Sequence, residues 1–298
     1  MNEMSENMSG NFVRGIADLL AGKLRAKTYG YEQLDVDKPL PREFVLKLAQ
    51  TKEELETCFR LLHDEYVSAG LMKPDPSGLR VTLYHALPTT SILMCRCGST
   101  LVGTISLIRE NKLGFPMQRA FALDEVFRKG GNVAEVSSLA ISKQLCADRN
   151  RILMPMLKFL YEYAEYRFDT QHLIIAVNPK SMKFYEKTLC FERLSPHQAD
   201  RYDFANGAPA AGACLDLTRA KEIFQRKYGH LPAGKNLYHY FTAASLPNCQ
   251  FPHQRFHATA DPVMTQELID YFFKQRTKLF FALSAQEKQL LDTLYGVS

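Results

Sequence analysis

Glu135 stands inside an apolar run, "GNVAEVSSLAIS" (131–142). A carboxylate there is partly desolvated, and its pKa rises toward that of a useful general base. The alternative is a strand-edge glutamate paired with a lysine or arginine. Tyr185 sits in "VNPKSMKFYEKTLCF" (177–191), on a helix that follows the Asn178-Pro179 turn. Its hydroxyl faces either a reacting group or solvent. Asn178 is placed to cap that helix. Lys143, Arg149 and Arg151 lie in "SKQLCADRNR" just before another helix. Long basic side chains at such a place grip a phosphate or an acidic protein surface, or they form a solvated loop. Apart from the single pair His253 and His257, spaced HxxxH, the eight histidines are scattered, and no metal is expected.

The chain has 298 residues, 46% hydrophobic and 23% charged, the composition of an ordinary globular protein. The formal charge of +5 is small and dispersed. It argues against nucleic acid and is compatible with an acidic partner or a phosphate-bearing substrate. Seven scattered cysteines suit a reducing compartment better than a disulfide framework. Cys95 and Cys97 read as buried residues on one face of a strand. The first residues lack the order of a secretory signal, and no apolar run is long enough to span a bilayer. A cytoplasmic location is therefore expected.

Residues 11–27 read as an amphipathic helix packed on the main domain; the alternative is a basic surface helix in peripheral contact with a membrane or partner. "YEQLDVDKPLPRE" reads as a linker. A strand is expected over 43–49. A helix over 51–70 opens with a Thr51/Glu54 capping box and is stopped by Gly70. Arg60 and Tyr66 lie on this helix. Then come a hairpin (90–111), a strand (131–142), a helix (151–168), a strand (172–177), a helix (180–189) and a final pair of strands at "FERL" and 213–218. Pro155 suits only a first turn, so that helix should become regular near Ile152. After a helix at "RAKEIFQRKYG", the segment 239–262 reads as irregular. Residues 263–295 read as two helices, the second opened by a Ser284/Glu287 capping box. The whole divides into 1–40 (helix and linker), 41–220 (mixed α/β core) and 221–298 (a helical extension covering one side of the core).

The strand and helix order, with the tail "N-P-x-x-x-x-F-Y-x-x-x-x-x-F", resembles the GNAT acyltransferase superfamily over roughly residues 43–220. Acyl-CoA users in that superfamily carry a glycine-rich turn at the place held here by the glycine-free "SKQLCADRNRILMPM". "RLLHDEYVSAGLM" (60–72), "LVGTISLIREN" (101–111) and "AEVSSLAI" (134–141) are similar to the N-acyl amino acid synthases related to homoserine-lactone autoinducer synthases. The resemblance implies a mainly antiparallel α/β (GNAT-like) sheet flanked by helices. It also implies transfer of a long fatty acyl group from acyl carrier protein to the amine of an amino acid, without a permanently bound cofactor. The alternatives are an acyl-CoA-dependent N-acyltransferase, an autoinducer synthase and a non-catalytic acyl-binding or regulatory protein.

Under that resemblance Glu135 is the base and Tyr185 an acid or donor contact. Asn178, Lys143, Arg149, Arg151 and backbone N–H groups from Leu139 to Ile141 bind the acyl donor. Arg60 and Tyr66 line the acceptor pocket, although Tyr66 also shares the apolar face of Leu55, Phe59 and Leu62. Relatives often read Glu-x-x-Arg on the Glu135 strand. Ser138 takes the arginine's place here, with Arg109 as a substitute. Cys190 stands where relatives often have glycine and reads as a small buried residue, at a helix end with less left-handed freedom.

Overall fold

The structure, a computed structural model, describes residues 35–143, 150–252 and 264–296. The expected N-terminal helix and Arg149 lie outside them. The core is a nine-stranded sheet in the order β6-β8-β5-β4-β3-β2-β1-β9, with β7 on β8. Its strands are β1 (Phe44–Leu48), β2 (Thr90–Cys97), β3 (Thr100–Arg109), β4 (Asn132–Ile141), β5 (Thr170–Val177), β6 (Glu192–Arg193), β7 (Ala199–Tyr202), β8 (Ala208–Asp216) and β9 (Cys249–Gln250). β4 runs parallel to β5, and β1 to β9; the other pairings are antiparallel.

Helices cover both faces, as an apolar sheet requires. On one face lies α1 (Lys52–Ser68), with Leu55, Cys58, Phe59 and Leu62 buried against Ile92 and Met94. Its expected capping box is present: Thr51 accepts from the Glu54 N–H, and Glu54 reaches back to Thr51. The short α2 (Asp124–Arg128) follows, before β4. On the other face lies α3 (Asn150–Phe168), whose Met156, Phe159 and Tyr163 pack on Leu93, Cys95, Ile105 and Leu107. Cys95 and Cys97 both turn to this side, as expected, with Cys95 buried and Cys97 only partly so. α3 begins earlier than expected, and Pro155 falls beyond its first turn. Lacking an N–H, Pro155 leaves the Arg151 carbonyl without its helical donor. α4 (Pro179–Lys187) is capped by Asn178, whose side chain accepts from the Lys180 N–H at 2.9 Å.

The extension does not cover one side only. α5 (Leu217–Tyr228) and α6 (Leu237–Thr242) join the α3 face through Phe224, Tyr228, Leu237 and Tyr240. α7 (Gln266–Ile269), continued as a π-helix (Asp270–Arg276), α8 (Leu279–Ala282) and α9 (Ala285–Tyr295) pack on the α1 face through Ile269, Phe272, Phe273 and Leu291. Ser284 and Glu287 form the expected box at α9. The segment expected to be irregular holds α6 and β9. Its aromatic residues are what order it: Phe241 meets Tyr161 and Phe224 edge-on, and Phe251 lies 4.6 Å from Phe159. The described part of the expected linker, from Asp35 onward, is also held in place. The Val36 N–H donates to the Gly234 carbonyl at 2.8 Å, and Leu40 is buried.

Candidate active site

β4 and β5 are paired from Asn132/Thr170 only as far as Val136/Ile175. β4 then continues to Ile141 on β3, and β5 to Val177 on β8. The two strands therefore part in mid-sheet, where ligands enter open α/β sheets. Beside this parting β4 carries a bulge. Ser137 pairs Ser106 and Ala140 pairs Thr104, so Ser138 and Leu139 together oppose Ile105. Ser138 has a φ of 52° and is buried, and its hydroxyl has no partner among the described residues. A bulge of this kind leaves one residue's backbone out of the ladder. The expected donor-binding N–H groups of Leu139 to Ile141 lie at this bulge and just beyond it.

Glu135 is 1% exposed and points to the α1 face with its ladder partners Ile108 and Ile174. The Met117 N–H, from the turn Pro116–Arg119, donates to its Oε2 at 3.0 Å. No lysine or arginine pairs with it among the described residues, and β4 is an inner strand of the sheet, not an edge. Burial pushes its pKa up to about 8 against the pull of the Met117 hydrogen bond. Three phenols lie within reach of its charge. Tyr66 comes from α1, Tyr84 from the segment before β2, and Tyr202 from the end of β7. Burial raises the pKa of each, so all three are neutral donors at ordinary pH.

On the opposite face, Val136 opens onto an apolar cavity of about 650 Å³, counting the space open to solvent. Leu157, Leu160, Leu173, Ile175, Leu189 and Leu215 line its walls, together with Phe224 from α5 and Phe241 from α6. Tyr185 belongs to this cavity, yet its hydroxyl feels that of Tyr66. Burial lifts its pKa to about 12. Tyr185 thus stands at the parting itself, between the cavity and the Glu135 side.

The other expected site residues are scattered. Lys143 is bound to α1: its N–H donates to Glu65 Oε1 at 3.0 Å, and its ammonium lies 3.5 Å from Glu65 Oε2. Arg151 is exposed at the start of α3. Arg60 is half exposed and pairs with Glu56 at 2.8 Å on the outer side of α1. Arg109 does not join Glu135. It pairs with Ala134 across the ladder, so its side chain goes to the α3 face, where the guanidinium lies 3.7 Å over the Phe168 ring. The alternation that puts Glu135 on the α1 face excludes Arg109 from it.

Sequence reasoning did not find Arg80, Tyr84 and Tyr202, which lie in or beside irregular segments without period. It also passed over Lys180, Lys183 and Lys187, exposed at helical spacing along α4. That signal was present in the sequence.

The sequence model of the N-acyl amino acid synthase FeeM family matches residues 57–216, from within α1 to the end of β8. The chain belongs to this family. It is an enzyme, an N-acyltransferase on a GNAT-type fold. The structure of FeeM, an N-acyl amino acid synthase from uncultured soil microbes, is 22% identical, with a TM-score of 0.52 over 60% of this chain and 93% of that one. The CoA-dependent acyl-homoserine lactone synthase BjaI is 16% identical, with a TM-score of 0.47 over 72% of this chain and 97% of that one. The AHL synthase LasI is 13% identical, with a TM-score of 0.44 over 59% and 93%. No curated protein sequence matches the chain significantly. No described helix is long and apolar enough to cross a membrane.

Proposed function

We propose that this family member moves a long-chain fatty acyl group from an acyl carrier protein thioester to the amine of an amino acid. The observation that carries the reading is the apolar cavity behind the β4–β5 parting, with a buried carboxylate on the other side of the same strand. The acyl chain lies in the cavity, where each buried methylene contributes about 0.8 kcal/mol. Its thioester sits at the parting. The amine comes from the Glu135 side and gives its proton to the Glu135 carboxylate. The nitrogen attacks the thioester carbonyl carbon, the C–N bond forms and the C–S bond breaks. N–H groups at the Ser138–Leu139 bulge take the oxyanion; the second proton lost by the nitrogen ends on the departing sulfur, and Tyr185, which keeps its own proton at neutral pH, stabilises that sulfur by a hydrogen bond.

A carrier protein is favoured over CoA by two features. The segment before α3 has no glycine with which to cradle a pyrophosphate. Beside the parting, α4 presents Lys180, Lys183 and Lys187, which suit an acidic surface. The purified protein, given acyl carrier protein thioesters and a mixture of amino acids, is expected to form N-acyl amino acids detectable by mass spectrometry. Equal turnover with acyl-CoA removes the carrier assignment. Tight fatty-acid binding without any product removes the catalytic one.

A further inference from the structure

Arg80 is a buried cation without a paired anion among the described residues. It is 8% exposed. Its Nη2 donates to the Phe204 carbonyl at 2.8 Å, and its guanidinium lies 4.3 Å from the Tyr66 ring centre and 5.2 Å from that of Phe204. Its Nε is buried and unpartnered, and no carboxylate pairs with it among the described residues. Taking a charge out of water without a counter-charge is costly, so such a cation calls for an incoming anion. The cost shows as a pKa drawn below the ordinary arginine value by burial.

Arg80 belongs to the same enclave as Glu135. The two do not pair, but Tyr66 and Tyr202 each feel both charges. The Tyr202 hydroxyl is a second buried polar atom without a partner among the described residues. Arg80 and Glu135 thus share Tyr66 and Tyr202 as neighbours, and the Arg80 guanidinium lies against the Tyr66 ring. A guanidinium edge matches a carboxylate better than any other common anion of a small amine.

We infer that Arg80 binds the carboxylate of the acceptor, through its Nε edge and with the Tyr202 hydroxyl as a further donor. The acceptor's amine is thereby turned toward Glu135. The inference rests on the acceptor being an amino acid, and it adds the requirement that the acceptor's anion, not its side chain alone, is what the enzyme selects. Arg80 is a specificity residue in this scheme; the proton transfer stays with Glu135.

The test compares an accepted amino acid with the amine left by removing its carboxylate. The wild-type enzyme is expected to show kcat/KM at least about a hundredfold higher for the amino acid. Arg80→Gln should raise the KM for the amino acid by about a hundredfold while changing kcat/KM for the amine less than about threefold. Arg80→Lys, which keeps the cation and so guards against misfolding, should restore part of the difference. Calorimetric titration of the wild-type enzyme with both compounds reads the same preference without turnover. Equal use of the two acceptors by the wild type overturns the inference, as does an equal loss for both in a folded Arg80→Gln protein. Failure to acylate any amine, with the binding preference intact, overturns instead the function proposed above.

Discussion

Glu135→Gln tests the base directly, because the raised pKa fixes the shape of the pH profile. With a pKa of about 8, roughly one tenth of the carboxyl is ionised at pH 7 and nine tenths at pH 9. Wild-type kcat/KM should therefore rise about tenfold across that interval and flatten above it. Glu135→Gln keeps the volume and the amide acceptor for the Met117 N–H. It should lose about a hundredfold or more in rate and lose the inflection near pH 8. Acyl transfer from a saturating donor, followed by thiol release over the pH range, reads both quantities. A wild-type inflection near the ordinary glutamate value refutes the reasoning, and so does a fully active variant.

The same shift has a stability consequence of known sign. Between pH 4.5 and about 8, the carboxyl is ionised in the unfolded chain and protonated in the folded one. The unfolded state then binds fewer protons, so stability falls as pH rises, by about 1.4 kcal/mol per pH unit from this group. Above pH 8 both states are ionised and the slope from this group ends. Glu135→Gln removes this component of the slope, which urea midpoints measured through the interval would show.

Three further outcomes are expected. Phe241→Ala should shift product toward longer acyl chains at a stability cost below the about 3 kcal/mol of a fully buried phenylalanine, because the half-buried Phe241 lines the cavity from α6; an unchanged chain-length profile in a mixed-donor assay refutes the placement. Reversing Lys180, Lys183 and Lys187 together to glutamate should raise the KM for the carrier-protein donor by at least about tenfold, mainly at low salt, and leave a short pantetheine thioester unaffected. Cys190→Gly should raise the thermal midpoint, since Cys190 holds a φ of 60° and a side chain in that region costs about 1 kcal/mol.

That last position shows what the sequence conveyed and what it concealed. The strand-turn-helix at 172–187 was legible from an apolar run, an Asn-Pro turn and helical spacing. A cysteine in the glycine place suggested less left-handed freedom. The chain nevertheless turns left-handed there, with the Phe191 N–H donating to the Tyr185 carbonyl at 3.0 Å. Closure of the helix onto the sheet outweighs the local preference. Glu135 was legible because it is a charge in an apolar run. Arg80 was not, because its partner Phe204 lies 124 residues away. Only packing of the α1–β2 segment against the β7–β8 turn brings the two together. The C-terminal extension was legible as helices, but its division between two sheet faces depends on aromatic contacts without sequence period.

The bulge on β4 is where strand pattern and site meet. Ahead of it, Ala134 and Val136 face α3, and Glu135 faces α1. Beyond it the phase is reversed: Ala140 packs with the α1 cluster and Ile141 with the α3 cluster. A regular strand would keep one alternation throughout, and would put either Ile141 or Glu135 on the wrong side of the sheet. The extra residue lets one strand aim a carboxylate at one face, open an apolar cavity on the other, and still bury its far end. The pair Ser137-Ser138, the polar interruption in that apolar run, is the trace of this in the sequence. The same interruption coincides with the parting of β4 from β5 after Val136. The strand's irregularity and its access to ligand thus arise at one place, and the unpartnered Ser138 hydroxyl lies beside both.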